Sequence, residues 1–373
     1  MFLNKISAIN FKNYKQIECS FSENINCFVG NNGSGKTNLL DAIHYLSMCR
    51  SFLNPIDTQN IHFDEHFFVI QGSWSNEQAN AQNKTEIYCG VKKGAKKIFK
   101  KNKIQYDKLS EHIGQYPSVM ISPYDQNLIA EGSEVRRRWA DGIISQFNRQ
   151  YLDDLIMYVK VIDQRNALLK NMSLAGFFNY ENIEVWDDQL VKYGNRIFEV
   201  RKKFLQDFIP IFQKYHQSLT RDVESVSIQY KSQLLEGDFK LLLEQAQRQD
   251  FQKQYSTTGI HKDDLVFEIN GYPIKKFGSQ GQQKSMLIAL KLAQFEWLHL
   301  NLGKKPILLL DDIFDKLDNE RVSYLMSLVS DHQFGQVMVT DTDGSRVEAI
   351  FNSINQPFSL FNVVKNEISI QSN

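Results

Sequence analysis

With 373 residues, the chain has room for one large domain or two moderate ones around a sizeable core. Its hydrophobic fraction of 42% is ordinary for a soluble protein, no window nears the roughly 18 apolar residues of a membrane span, and the opening MFLNKISAINF lacks a secretory layout. The 43 basic residues balance 43 acidic ones, so a nucleic-acid role must rest on local patches.

In chain order, Leu3 to Phe11 and Gln16 to Phe21 read as strands around a turn at Lys12-Asn13-Tyr14. The short apolar run Ile25 to Val29 then meets Gly30-Asn31-Asn32-Gly33-Ser34-Gly35-Lys36-Thr37, a full match to the phosphate-binding pattern G-x-x-x-x-G-K-[ST]. Lys36 to about Met48 carries apolar residues at helical spacing. Strand, glycine loop and helix together aim backbone N–H groups and a helix N-terminus at a polyphosphate. Lys36 would reach the β- and γ-phosphates, and the Thr37 hydroxyl would hold Mg²⁺. The chain is therefore expected to bind a nucleoside triphosphate.

Further strands are expected at His66 to Trp74 and Thr85 to Val91, and Pro123 closes this region because it cannot continue a ladder. Seven lysines fall in the twelve residues Lys92 to Lys103, among them Lys96, Lys97, Lys100 and Lys101. They read either as a DNA-binding patch or as solvated hairpin turns. Cys19, Cys27, Cys49 and Cys89 lack metal-type spacing and read as reduced thiols of a cytoplasmic protein.

From about Glu131 the pattern turns helical, with segments at Glu134 to Lys170 and Val185 to Leu219 forming an antiparallel arm. Pro210 should kink or end the second segment. Strands at Val223 to Tyr230 and Leu265 to Asn270 flank a helix near Phe239 to Tyr255. Phe277-Gly278-Ser279-Gln280-Gly281-Gln282 opens a long helix and offers a second anion site. Pro306 to Asp312 is an apolar strand ending in two acids, where Asp311 would orient Mg²⁺ and Asp312 would polarise the attacking water. The expected fold is α/β, an ABC-type ATPase head with a P-loop mixed sheet (1–130 and 256–373) interrupted by a mainly helical arm (131–255).

The order GNNGSGKT, FGSQGQQKS, PILLLDDIFDKLD is similar to the RecF family of bacterial recombination and repair ATPases. NFKNY (Asn10 to Tyr14), SPYDQNLIAEGSEVRRRWAD (Ser122 to Asp141) and GIHKDDL (Gly259 to Leu265) resemble that family's own blocks. The resemblance implies an ATP-dependent homodimer that binds gapped, duplex or junction DNA, acts with RecO and RecR, and helps to load recombinase. It adds Lys12 and Asn13 to the nucleotide-binding residues Gly30 to Thr37. It places Ser279, Gln280, Gly281 and Gln282 on the partner's γ-phosphate, Asp311 and Asp312 as the acid pair, and Asp315 to Asp318 in the loop linking the sites.

Two departures from ABC ATPases and one from the RecF family's own pattern stand out. Asp312 replaces the usual Glu and argues for slow hydrolysis. Thr340-Asp341-Thr342 stands where the switch histidine is usual. Tyr124 occupies a place often held by Glu, leaving the Mg²⁺-proximal role to Asp125 or Gln126. Arg136, Arg137 and Arg138 are a second candidate phosphate grip, or an exposed helix face. Two other readings compete with DNA repair: the ATPase subunit of a membrane transporter, and a nucleotide-gated scaffold in which hydrolysis is incidental.

Overall fold

The computed structural model describes residues 1–75, 84–220, 224–314, 319–330 and 333–370. In chain order come strands β1 (Phe2–Phe11), β2 (Tyr14–Ser20) and β3 (Ile25–Val29), helix α1 (Lys36–Met48), then β4 (Phe67–Ser75), β5 (Thr85–Lys92), β6 (Ile98–Lys101), β7 (Ile104–Gln105) and β8 (Ser118–Ile121). Helices α2 (Asn127–Ala130), α3 (Ser133–Phe147), α4 (Arg149–Ala175) and α5 (Tyr180–Thr220) follow. After β9 (Val226–Lys231), α6 (Phe239–Lys253), β10 (Asp264–Ile269) and β11 (Tyr272–Pro273) come α7 (Ile274–Phe277) and α8 (Gln280–Leu302). The chain ends with β12 (Ile307–Asp311), α9 (Asn319–Ser330), β13 (Val337–Asp341), α10 (Gly344–Ser353), β14 (Phe358–Val364) and β15 (Glu367–Ile370).

Two compact units result, Met1–Asp125 with Gln294–Asn373, and Gln126–Ala293. The first holds two six-stranded sheets. One is antiparallel, in the order β2-β1-β4-β5-β6-β7. The other, β15-β14-β3-β13-β12-β8, is parallel except at its β15 edge. β3, β12 and β13 are buried along their whole length, which is why they read as continuous apolar runs rather than alternating ones.

Helix α1 is buried nearly all round, its polar Lys36, Asp41 and Ser47 included. Leu39, Leu40, Ile43, Tyr45 and Leu46 share one core with Ile6, Phe68 and Ile87 of the antiparallel sheet and with Leu309, Met338 and Phe361 of the parallel one. The phosphate loop therefore starts from a buried strand and feeds a buried helix. Neither can move without opening the core.

The second unit corrects two helical expectations. Glu134 to Lys170 is not one segment. The Asn148 side chain accepts from the Tyr151 N–H at 2.9 Å and starts α4 afresh. Pro210 does not end α5, which runs 41 residues with the proline inside. Phe204, Phe208 and Phe212 are buried on α5, and Trp139 meets Phe208 edge-on at 5.6 Å. Burying three aromatic rings outweighs the roughly 3 kcal/mol that an internal proline costs. This unit also takes in 256–293, so GIHKDDL and the segment opening α8 group with the helices by contact.

Candidate nucleotide-binding site

The parallel sheet aligns the C-terminal ends of three strands. Asp341 pairs in register with Val29 and Thr340 with Asp311, so β3, β13 and β12 finish side by side. The Gly30 N–H donates to the Asp341 carbonyl at 3.3 Å. A Cβ at Gly30 would lie 2.2 Å from the Val363 carbonyl oxygen, so no other residue fits there. At the far end of the loop Gly35 has φ +111°, and a Cβ would come within 2.7 Å of the Tyr14 Oη. The Tyr14 hydroxyl donates to the Gly35 carbonyl at 2.9 Å, bracing the loop from outside. No side chain caps the start of α1, whose first N–H groups are left for an anion.

Lys36 is buried, its ammonium donating to the Gly30 carbonyl at 2.8 Å and the Asn31 carbonyl at 3.2 Å. It thus stays over the loop that a polyphosphate would occupy. The Thr37 hydroxyl donates to Asp311 Oδ1 at 2.8 Å, joining residues 274 apart in the chain. Thr340 donates to the same oxygen at 2.9 Å, and its own oxygen accepts the Asp312 N–H at 3.0 Å.

Burial holds the Asp311 carboxyl above the usual carboxylate range, and the neighbouring Asp312 pushes the same way. The two threonine hydrogen bonds and the Lys36 charge oppose this. A buried carboxylate so placed favours a cation beside it. The oxygens of Thr37 and Asp311 are hard donors that fit Mg²⁺. Among the described residues no cluster of three or more acids, histidines or cysteines could hold a metal by itself. An ion here would complete its shell from phosphate and water, as Mg²⁺ ordinarily does.

Asp312 sits at φ +45°, in the left-handed region uncommon for a residue with a Cβ, at the bend that follows β12. The hydroxyls of Tyr14 and Thr340 belong to this site although sequence reasoning did not assign them. The signal for Thr340 was present in its place on a strand parallel to β12, but pairing register is not legible along the chain. Asp315 to Asp318 lie outside the described residues.

The opening block divides. Asn13 accepts from the Asn38 amide at 2.6 Å and bonds Asn366, which keeps it beside the loop. Lys12 pairs with buried Asp41 at 2.5 Å, and that carboxylate also accepts from the Ser51 hydroxyl and the Phe52 N–H. Its ammonium already has a structural partner.

In the second unit, the Ser279 N–H donates to Gln282 Oε1 at 2.7 Å and the Gln282 N–H to Ser279 Oγ at 3.2 Å. This reciprocal box caps α8 and presents Ser279 and Gln280 to solvent. Gln282 also reaches Glu224 at 2.8 Å, and Gly281 lies in the first turn. Asp125 is buried and accepts the Ser122 N–H at 2.8 Å, whereas Gln126 is exposed.

The basic candidates differ in what they are doing. Lys97 contacts Asp57 and the Cys49 carbonyl, each at 2.7 Å. Lys101 donates to Gln115 at 2.8 Å, Lys100 lies 5.6 Å from the Tyr88 ring centroid, and Lys96 is exposed in the turn between β5 and β6. Arg136 forks onto Asp264 at 2.7 and 3.1 Å, Arg137 donates to Ser133 and the Asp263 carbonyl, and Arg138 pairs with Glu134 one turn away. Arg136 and Arg137 thus brace the second unit. The GIHKDDL block is structural in the same way. Asp263 accepts from Arg201 at 2.9 Å and from Tyr230 at 2.6 Å, and the Arg201 fork also holds Asp141.

A phosphate loop, an acid-ended strand two places away in the same sheet, and a mixed parallel sheet over an antiparallel one define a nucleotide-binding head of the ABC type. Residues 2–367 match the RecF/RecN/SMC N-terminal domain family. The chain is 50% identical, over 97% of its length and 100% of the relative's, to the DNA replication and repair protein RecF of Flavobacterium johnsoniae. Its identity to the protein of that name from Phocaeicola vulgatus is 46%, over 99% and 98% of the two chains. The chain belongs to the RecF family. A solved structure of the recombination mediator protein RecF with ATP, in the RecFOR pathway, matches 100% of this chain and 98% of its own at TM-score 0.89 and 29% identity. The SMC head domain of Pyrococcus furiosus matches at TM-score 0.56 and 16% identity, a likeness of fold alone. Family membership sets aside the transporter reading.

Proposed function

We propose that the chain is an ATP-dependent DNA-binding protein of recombinational repair and replication-fork maintenance, acting in the cytoplasm as a homodimer closed by ATP. The observation that carries the ATP dependence is the 2.8 Å contact between Thr37 and Asp311, which unites the phosphate loop with the acid-ended strand, and membership of the RecF family supports the DNA-repair role. Loop N–H groups and Lys36 hold the β- and γ-phosphates, while Thr37 and Asp311 hold Mg²⁺, which when bound neutralises charge on the transferring phosphate. Asp312, or a water it orients, accepts the proton of the attacking water.

Ser279 to Gln282 of a second copy complete the site from the γ-phosphate side. Hydrolysis is slow because Asp312 is one methylene shorter than the usual Glu. The helical arm (131–255) is the insertion that distinguishes this head from a simple nucleotide-binding module. Relatives named for the RecFOR pathway support RecO and RecR as partners. Gapped or junction DNA is the preferred ligand. Fluorescence anisotropy with gapped, duplex and single-stranded DNA, with and without ATP and Mg²⁺, tests the reading. ATP-dependent binding strongest on gapped DNA is expected, and nucleotide-independent binding overturns it. DNA-stimulated turnover separates it from the scaffold reading, in which turnover ignores DNA.

A further inference from the structure

The first unit contains a cavity well removed from the phosphate loop. It has a volume of about 170 Å³ and is walled by Met1 before β1, Trp74 near the end of β4, Thr85 at the start of β5, Lys101 of β6, Gln115 and Tyr116 before β8, and Lys304 before β12. Lys304 stands before the N-terminal end of β12, and Asp311 closes the C-terminal end of that strand. At the rise of an extended chain, that puts roughly 15 Å or more between this cavity and the candidate Mg²⁺ ligands.

Both lysines converge on one neutral residue. Lys101 donates to Gln115 Oε1 at 2.8 Å, and Lys304 to the Gln115 carbonyl at 3.3 Å. Lys101 also lies 5.9 Å from the centroid of Tyr116. No carboxylate lines the cavity among the described residues. The Trp74 indole forms part of the wall, is 2% exposed, and its buried N–H has no hydrogen-bond partner. Partial burial and the neighbouring Lys101 charge hold the Lys304 ammonium below its ordinary pKa. Two like charges gathered around one cavity, with only neutral acceptors, are an arrangement that an anion stabilises. The volume suits a tetrahedral oxyanion with its hydration, and is too small for a nucleoside triphosphate.

We infer that this cavity is a phosphate-binding site, with Lys101 and Lys304 as its paired cations. The phosphate comes either free from solution or from the backbone of a bound nucleic acid, for which β6 and the Lys92–Lys103 stretch supply flanking charge. The site is independent of the nucleotide site, so a failure of one reading leaves the other standing.

The test uses the full-length chain carrying Lys36→Ala, which disables the phosphate loop, and titrates it with inorganic phosphate by calorimetry. Saturable binding is expected, weakened at least tenfold by Lys101→Gln with Lys304→Gln and retained by Lys101→Arg with Lys304→Arg. The arginine pair keeps the charge, so it separates loss of the site from loss of the fold. No saturable binding, or equal binding in the glutamine and arginine pairs, overturns the inference. Measuring DNA affinity against salt then names the source. If the glutamine pair lowers the slope of log K against log salt by about one to two, the cavity seats a backbone phosphate. An unchanged slope together with lost phosphate binding assigns it to the free anion.

Discussion

Thr340 is the residue through which Asp311, the last residue of β12, and Asp312 after it are held. Its hydroxyl donates to Asp311 and accepts from the Asp312 N–H, so a single side chain fixes both the metal-side carboxylate and the strained backbone after it. Thr340→Val keeps the shape and removes both bonds. The cost of leaving such buried groups unpaired is about 1–3 kcal/mol, which corresponds to a roughly 5- to 150-fold fall in ATP turnover. ATP affinity should change only a few-fold, and Thr340→Ser should restore turnover. Equal turnover in the valine and serine variants would show that Thr340 only fills space. Lys36→Ala should abolish ATP binding while leaving the melting temperature near that of the parent, because among the described residues the Lys36 ammonium bonds carbonyls of its own loop. Asp312→Asn should retain ATP and lose about 10²-fold or more in hydrolysis, measured as phosphate release. Normal turnover in that variant would remove Asp312 from the mechanism.

At the scale of elements, buried histidines give each unit its own acid sensitivity. His112 is fully buried in the first unit, with Nε2–H donating to the Leu46 carbonyl at 2.6 Å and Nδ1 accepting from Tyr106 at 3.2 Å. Burial pushes its pKa down to about 4, the Lys101 charge adds to this, and the bond to Leu46 opposes it. In the second unit, burial likewise brings His261 down to about 4, against its bond to the Ser256 carbonyl.

A histidine with a depressed native pKa contributes stability that is complete above its unfolded value, near 6.5. That stability drains away as pH falls toward about 4. Each should contribute up to about 1.4 kcal/mol per pH unit across that window. Urea midpoints between pH 7 and 4.5 should fall less steeply in His112→Gln than in the parent. Parallel slopes would show that His112 titrates normally.

For the whole molecule the governing quantity is the number of sites. The chain has one phosphate loop and one FGSQGQ segment, each on its own compact unit. If ATP is shared between copies, a two-fold dimer makes two complete sites at once. Ser279→Arg tests this, because Ser279 is exposed at the capped start of α8 and tolerates a larger side chain without disturbing a core. The variant should bind ATP as a monomer, and light scattering with ATP and Mg²⁺ should show no dimer. A variant that dimerises like the parent would refute the shared site.

The sequence by itself determined the helix after the phosphate-loop motif and the acid-ended buried strand, because both are local or strongly patterned. The loop Gly30 to Thr37 must form wherever a buried strand feeds a helix, and the expected α1 matches the observed Lys36–Met48. The apolar run before Asp311 likewise announces a buried parallel strand. Tertiary structure decided which charges were left over. Lys97 and Arg136 read as free cations along the chain, yet Asp57 and Asp264 reach them from 40 and 128 residues away. It also decided that Pro210 stays inside a helix and that Thr340 meets Asp311. Spacing along one chain encodes periodicity, but the pairing of distant carboxylates, hydroxyls and aromatic rings depends on register and packing, which exist only once the sheets and helices have assembled.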